Sequence, residues 1–157
     1  MKTIQAKPQS NPRSCRIAVV VSLFNQFITG RLQQGCVEKL LNCGISEQSI
    51  VIVEVPGAVE LPLVAKKIFQ SDQADIVIAL GCVIRGDTDH YDYVCQQVSH
   101  GCQQVALEFS RPVIFGVLTT DNEEQALARV GGRHGHKGVD AADAALAMYD
   151  IMEQIQI

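Results

Sequence analysis

The stretch "LGCVIRGDTDHYDYV", Leu80 to Val94, sets a glycine, a threonine, a histidine and the acids Asp87, Asp89 and Asp92 directly behind an apolar run. Gly86 permits close backbone approach to a ligand, and Thr88 offers a hydroxyl. A helix beginning near His90 would point its free amides and positive dipole end at the loop, as phosphate sites do. His90 suits proton transfer near neutral pH, with Asp89 and Asp92 placed to orient the ring or hold its proton. Plainer readings stand beside these: a capped helix start with no ligand, and a solvated histidine whose cationic form the dipole disfavours. No Walker pattern and no GxGxxG follows any apolar run, so the phosphate reading rests on this loop alone.

Three more polar breaks follow apolar runs: "SLFNQF", "VPGAVELP" and "FGVLTTDN". In a parallel sheet the carboxyl ends of the strands meet at one rim, so these breaks would converge with the first. Phe24 and Phe115 bring aromatic faces for a flat ring, while Asn25 and Glu60 bring amide and carboxylate groups for hydroxyls. Further on, "GRHGHKG" holds His134 and His136, one candidate ligand fewer than a catalytic zinc site takes, and reads as a solvent-exposed turn. The cations around it, Arg129, Arg133 and Lys137, either reach an anionic ligand or form an exposed basic face.

The elements that must position these groups are legible as alternation. Arg16 to Ser22, Ser49 to Val55, Asp75 to Gly81 and Pro112 to Thr119 read as strands; "IAVVV", "IVIVEV", "IVIAL" and "PVIFGVL" are continuously apolar, which predicts burial on both faces and a parallel sheet. Helical periodicity covers Phe27 to Cys43, with Gly44 as its cap, and recurs at Val94, Val98, Cys102, Val105 and Phe109. "TTDNEEQALARV" carries a polar helix start, and a last helix follows the glycine-rich break. The expectation is one α/β domain over residues 1–157, a three-layer open parallel sheet with right-handed crossovers. The first dozen residues read as an arm with a strand around Thr3 to Ala6.

Composition narrows the partners. With 47% apolar residues, 19% charged and a net charge of -4, the chain has no basic field for nucleic acid and no reason to seek a membrane. Ile17 to Phe24 follow Lys7, Arg13 and Arg16, as in a secretory signal, but no small-residue cleavage pattern follows and a buried first strand is expected. No two of the six cysteines are two residues apart; Cys36/Cys43 and Cys95/Cys102, seven apart on helices, would sit about 10 Å from each other. Reduced thiols in a cytoplasmic protein are expected.

Taken together, "FN", "VPGAVELP", "GCVIRGDTDHYDYV", "PVIFGVLTTDNEEQALAR" and "GHKGVDAA" resemble the 6,7-dimethyl-8-ribityllumazine synthase family, from about Thr3 to the last helix. The resemblance implies a flavodoxin-like fold and condensation of 5-amino-6-(D-ribitylamino)uracil with 3,4-dihydroxy-2-butanone 4-phosphate, the penultimate step of riboflavin biosynthesis. It implies that Phe24 stacks on the pyrimidine, that Ala58, Val59 and Glu60 bind its ribityl side and ring edge, and that Cys82, Val83 and Ile84 line the heterocycle. Asp87, Thr88 and Arg129 would take the phosphate and His90 would transfer protons. Phe115 would come from a neighbouring subunit, with Asn25 and Lys137 in support. Acids beside a phosphate repel it unless their carboxylates point away, so Asp87 would offer its backbone amide. No cofactor or metal is implied. The resemblance further implies a homo-oligomer, a pentamer or a 60-subunit icosahedral shell, with "TIQA" adding a strand to a neighbour's sheet, and room for association with riboflavin synthase. The alternative is a noncatalytic flavin- or lumazine-binding shell protein, which has no need of the set Phe24, Glu60, His90 and Arg129.

Overall fold

In the computed structural model, which describes residues 1–7 and 14–155, strands and helices alternate. In order they are β1 (Ile17–Ser22), α1 (Gln26–Asn42), β2 (Ile50–Val55), α2 (Leu61–Gln70), β3 (Ile76–Ile84) and α3 (His90–Phe109). There follow β4 (Val113–Thr120), a short α4 (Glu123–Leu127), β5 (Val130–Gly132), β6 (Gly135–His136) and α5 (Lys137–Ile155). The main sheet is wholly parallel in the order β2-β1-β3-β4. The chain leaves β1 toward one side to make β2 and returns to the other side to make β3. The switch point therefore lies between β1 and β3, as the flavodoxin-like expectation requires.

The layers follow from the period of two along each strand. Ile17, Val19 and Val21 of β1 with Ile76, Ile78 and Leu80 of β3 face a core completed by Ile28, Leu32 and Leu40 of α1 and by the alanines of α5. Their neighbours Ala18, Val20, Val77 and Ala79 face α2 and α3, through Leu61, Ala65, Phe69, Val98 and Cys102. Each fully buried leucine or isoleucine contributes about 1.5–3 kcal/mol. Close helix approach needs small residues: a Cβ at Gly138 of α5 would overlap the Leu32 carbonyl oxygen of α1, and one at Gly101 would stand 2.7 Å from Pro62.

Four expectations change. The strand at Ile50–Val55 is not buried on both faces; it is a sheet edge, with Val51 40% and Ile52 42% exposed. Helix α2 lies in a stretch where no helix was read. The glycine-rich break is the antiparallel hairpin β5–β6, held in register by Val130 opposite His136. Thr3 to Ala6 form no strand; this segment lies by α5, with the Lys7 N–H donating to Asp150 Oδ2 at 2.7 Å and Gln154 Nε2 donating to Gln5 O at 2.9 Å. The rest of the arm, 8–13, is outside the described residues. Gly44, at φ 93°, ends α1 as expected, and the Ile45 N–H reaches back to Leu40 O at 3.1 Å.

Candidate active site

Three strand ends build one cleft at the switch point. After β1 the chain turns sharply at Asn25, which sits in the left-handed region at φ 61°, a conformation asparagine adopts more readily than most residues. Its side chain does not cap α1. Instead Asn25 Nδ2 donates to the carbonyl oxygen of Cys82 at 2.9 Å and so ties the end of β1 to the end of β3. Phe24, 71% exposed, is fixed through its backbone N–H to Pro56 O at 3.0 Å, which joins the first rim loop to the second.

The second loop is a tight turn over Ala58–Glu60, closed by Glu60 Oε2 accepting from the Gly57 N–H at 2.9 Å. The third is the stretch after Ile84. There Asp89 precedes α3 without a side-chain cap, and the His90 N–H points to Thr88 Oγ1 at 3.3 Å. Between the three loops lies a cavity of about 430 Å³ walled by Phe24, Asn25, Gly57, Ala58, Val59, Cys82, Val83, Ile84, Gly86, Thr88, His90, Tyr91 and Val94. The loop alternates: Gly86, Thr88 and His90 face the cavity, whereas Asp87 and Asp89 are exposed and outside its wall. The two carboxylates are thus not among the groups that line the cavity.

Charge in the cleft is sparse. None of the wall side chains is a lysine, arginine or carboxylate. Burial pushes the Cys82 thiol up to about 11, so it stays a neutral wall group at physiological pH. Burial also raises the Tyr91 phenol above its ordinary value, against a hydrogen bond with Thr119 that lowers it. The nearby cation, Arg85, is already engaged: Nε donates to Asp121 Oδ1 at 3.0 Å, Nη1 lies 3.6 Å from Asp92 Oδ1, and the guanidinium carbon stands 4.1 Å from the Tyr91 ring centroid.

Residues 14–153 match the family model of 6,7-dimethyl-8-ribityllumazine synthase. The 6,7-dimethyl-8-ribityllumazine synthase of Coxiella burnetii strain RSA 493 / Nine Mile phase I is 54% identical over 144 residues, covering 92% of this chain and 95% of the relative. The protein of the same name from strain Dugway 5J108-111 is 53% identical over the same length. The chain belongs to the 6,7-dimethyl-8-ribityllumazine synthase family. The four-stranded parallel sheet between helix layers agrees with the fold expected of a lumazine synthase.

Not every residue that the lumazine synthase motifs single out meets in this cleft. Phe24, Asn25, Ala58, Val59, Cys82, Val83, Ile84, Thr88 and His90 do. Glu60 is exposed and not among the wall residues, with one carboxylate oxygen committed to Gly57. Phe115 is on β4 opposite Ala79, half-buried against the α2 and α3 side of the core. Arg129 and Lys137 are brought together by the hairpin, where the Lys137 N–H donates to Arg129 O at 2.8 Å, and Arg129 Nη1 donates to Gln125 O at 2.9 Å. None of Phe115, Arg129 and Lys137 lines the cleft of their own chain.

Sequence reasoning missed Tyr91 and Val94 as wall residues. The step of four from His90 to Val94 along α3 was the available signal, since residues three and four apart share a helix face. It also misread His136. That side chain is half-buried against Gly35, and its Nδ1 accepts from the N–H groups of Gly138 at 3.1 Å and Val139 at 3.3 Å, capping α5.

Proposed function

We propose that the chain is a transferase that condenses 5-amino-6-(D-ribitylamino)uracil with 3,4-dihydroxy-2-butanone 4-phosphate to 6,7-dimethyl-8-ribityllumazine, phosphate and water, in a cleft completed by an adjacent copy of itself. One observation carries the reading: a cleft with an aromatic wall, an amide-bearing loop at the start of a 20-residue helix, and no cation of its own. A phosphate dianion in that loop has the helix N-terminus on one side and needs a positive group on the other. Arg85 is engaged with Asp121 and Asp92, while Arg129 and Lys137 flank the β5–β6 hairpin and are not among the residues that wall the cleft. A neighbouring chain therefore supplies Arg129, with Lys137 in support and Phe115 closing the ring pocket.

Within that site Phe24 stacks on the pyrimidine, Ala58 to Glu60 hold the ribityl side, and Cys82 to Ile84 present backbone groups to the heterocycle. Asp87 and Thr88 meet the phosphate through backbone amides and the Thr88 hydroxyl. The amine attacks the ketone carbonyl and water leaves to form an imine; loss of the C3 proton together with phosphate gives an enol that tautomerises to the second carbonyl, and attack of the ribitylamino nitrogen on it, with loss of a second water, closes the ring. Holding both reactants in one geometry supplies much of the rate, His90 passes protons between the attacking amine and the departing water, and Arg129 balances charge as phosphate leaves. The open edge of β2, with Val51 and Ile52 exposed, is the place for a neighbour's Thr3–Ala6 segment to add a strand, giving a pentamer or a shell of pentamers. Free thiols and the absence of a helix long and apolar enough to cross a membrane, both among the described residues, favour a cytoplasmic enzyme that works beside riboflavin synthase.

Co-assembly tests the shared site. His90→Ala and Arg129→Ala chains are each close to inactive. Unfolded and refolded together in equal amounts, they regain about a quarter of wild-type activity, because a ring of identical interfaces then contains sites with both groups intact. No recovery would place both residues in one chain and refute the arrangement.

A further inference from the structure

Arg85 is placed where a phosphate-binding arginine could stand, yet its guanidinium is already engaged with Asp121, Asp92 and the Tyr91 ring. It bridges three elements that surround residues 86–89: its own strand end on β3, the start of α3 through Tyr91 and Asp92, and the turn after β4 through Asp121. Its backbone joins the same bridge, with the Arg85 N–H donating to Thr120 O at 2.8 Å. Asp121 is itself held, its N–H donating to Gln125 Oε1 at 2.8 Å. The Asp121 hydrogen bond, with the charges of Asp92 and Asp121, keeps the guanidinium firmly protonated.

All three ion-pair partners are substantially exposed, and isolated pairs of that kind contribute little to stability. What the bridge does is geometric. Tyr91 and Asp92 are the two residues after His90, and Tyr91 is a wall of the cleft. Pinning them to Asp121 fixes the rotation and position of the first turn of α3, and with it the His90 side chain and the Thr88 hydroxyl. We propose that Arg85 is a positioning residue for the condensation, acting through Tyr91, Asp92 and Asp121 and not by contact with the phosphorylated substrate. The inference rests on the functional reading above.

The test is a double-mutant cycle of R85K and D121N in the full-length assembled protein, with kcat, the KM of the phosphorylated substrate and inhibition by inorganic phosphate measured for each. Lysine keeps the charge but loses the fork and the ring stacking. Each single variant is expected to lower kcat about tenfold, less than the hundredfold that a 1 Å misplacement costs, with KM and phosphate inhibition changed less than about twofold. The double variant is no slower than either single one, because both remove the same bridge. Tyr91→Leu, which removes the ring beneath the guanidinium, loses at least as much kcat as R85K. Melting temperature and sedimentation match wild type throughout, separating the role from a folding defect.

A direct phosphate contact predicts a different pattern and overturns the proposal: R85K raises the KM, D121N lowers it by releasing the arginine, and the effects add. Unchanged kcat in both single variants overturns it as well. A wild-type chain without turnover overturns the functional reading and the proposal with it; an active wild type beside indifferent variants removes the proposal alone.

Discussion

Asn25 carries two separable loads, and replacing it by glycine and by alanine weighs them apart. Its side chain donates one part-buried hydrogen bond to Cys82 O at 2.9 Å, and its backbone holds φ 61°. Losing a hydrogen bond of this kind costs about 1 kcal/mol. Asn25→Gly loses the bond but accepts the left-handed backbone without strain, so about 1 kcal/mol is the expected loss, plus a few tenths for the freer unfolded chain. Asn25→Ala loses the bond and keeps a Cβ in the left-handed region without the polar side chain that favours asparagine there, uncovering about 1 kcal/mol of a penalty the wild type already partly bears, about 2 kcal/mol in all. For a domain of this size each kcal/mol moves the melting temperature by about 2–4 °C, so thermal unfolding by circular dichroism should show a fall of about 2–5 °C for glycine and about 4–8 °C for alanine. Both variants also free the Cys82 carbonyl at the cleft wall, so kcat/KM should fall by a similar factor in the two despite their different stability. Equal melting temperatures for the two variants would refute the strain argument, and wild-type values for both would refute the hydrogen bond.

Other outcomes follow from the same structure. His90→Ala should lower kcat by about 10²-fold, the lower end of what a positioned acid or base contributes, with substrate KM values little changed; a wild-type rate removes His90 from the mechanism. Iodoacetamide at pH 8 followed by mass spectrometry should label exposed Cys43 first, and leave Cys82, pushed up to about 11, and Cys36, pushed up to about 12, largely unmodified. Ile52→Lys, a charge on the open β2 edge, should shrink the assembly in sedimentation and reduce activity in step with dissociation. Asp72 is held below its ordinary value by hydrogen bonds from Arg111 and Arg16; burial alone would raise Asp75, but its bonds with Arg16 outweigh that and lower it. Carboxylates lowered in the folded state stabilise above the unfolded value and lose that contribution as pH falls through the folded one. Denaturant midpoints should therefore drop below about pH 4, less steeply in Asp75→Asn.

The sheet was legible because a strand covered on both faces leaves a continuous apolar run, and β1 and β3 do so without interruption. The same rule misled at β2: "IVIVEV" is as apolar as a central strand, but apolar residues record that a surface is to be covered and not which chain covers it. Helix α2 was available in principle. Pro62 is in its first turn, where proline is favoured, and Leu61, Ala65, Ile68 and Phe69 lie on its buried face, yet ten residues gave too short a period beside the turn that precedes it. The cleft was legible as a collection of strand ends, since a parallel sheet sends them to one rim. Its alternation, with Thr88 and His90 inward and Asp87 and Asp89 outward, depends on the loop backbone, which residue types alone do not determine. His136 escaped for a similar reason: a histidine reads as a ligand or a solvated cation, and only the packing against Gly35 and Gly138 turns it into a helix cap.

Mixing 5-amino-6-(D-ribitylamino)uracil and 3,4-dihydroxy-2-butanone 4-phosphate with the purified assembly, and following lumazine absorbance together with phosphate release, tests the central claim most directly. The account predicts that both products appear in equal amounts and faster than in the same mixture without protein. Rates equal to the protein-free mixture, in a folded and assembled sample that still binds the pyrimidine, would contradict it and leave a ligand-binding shell protein in its place.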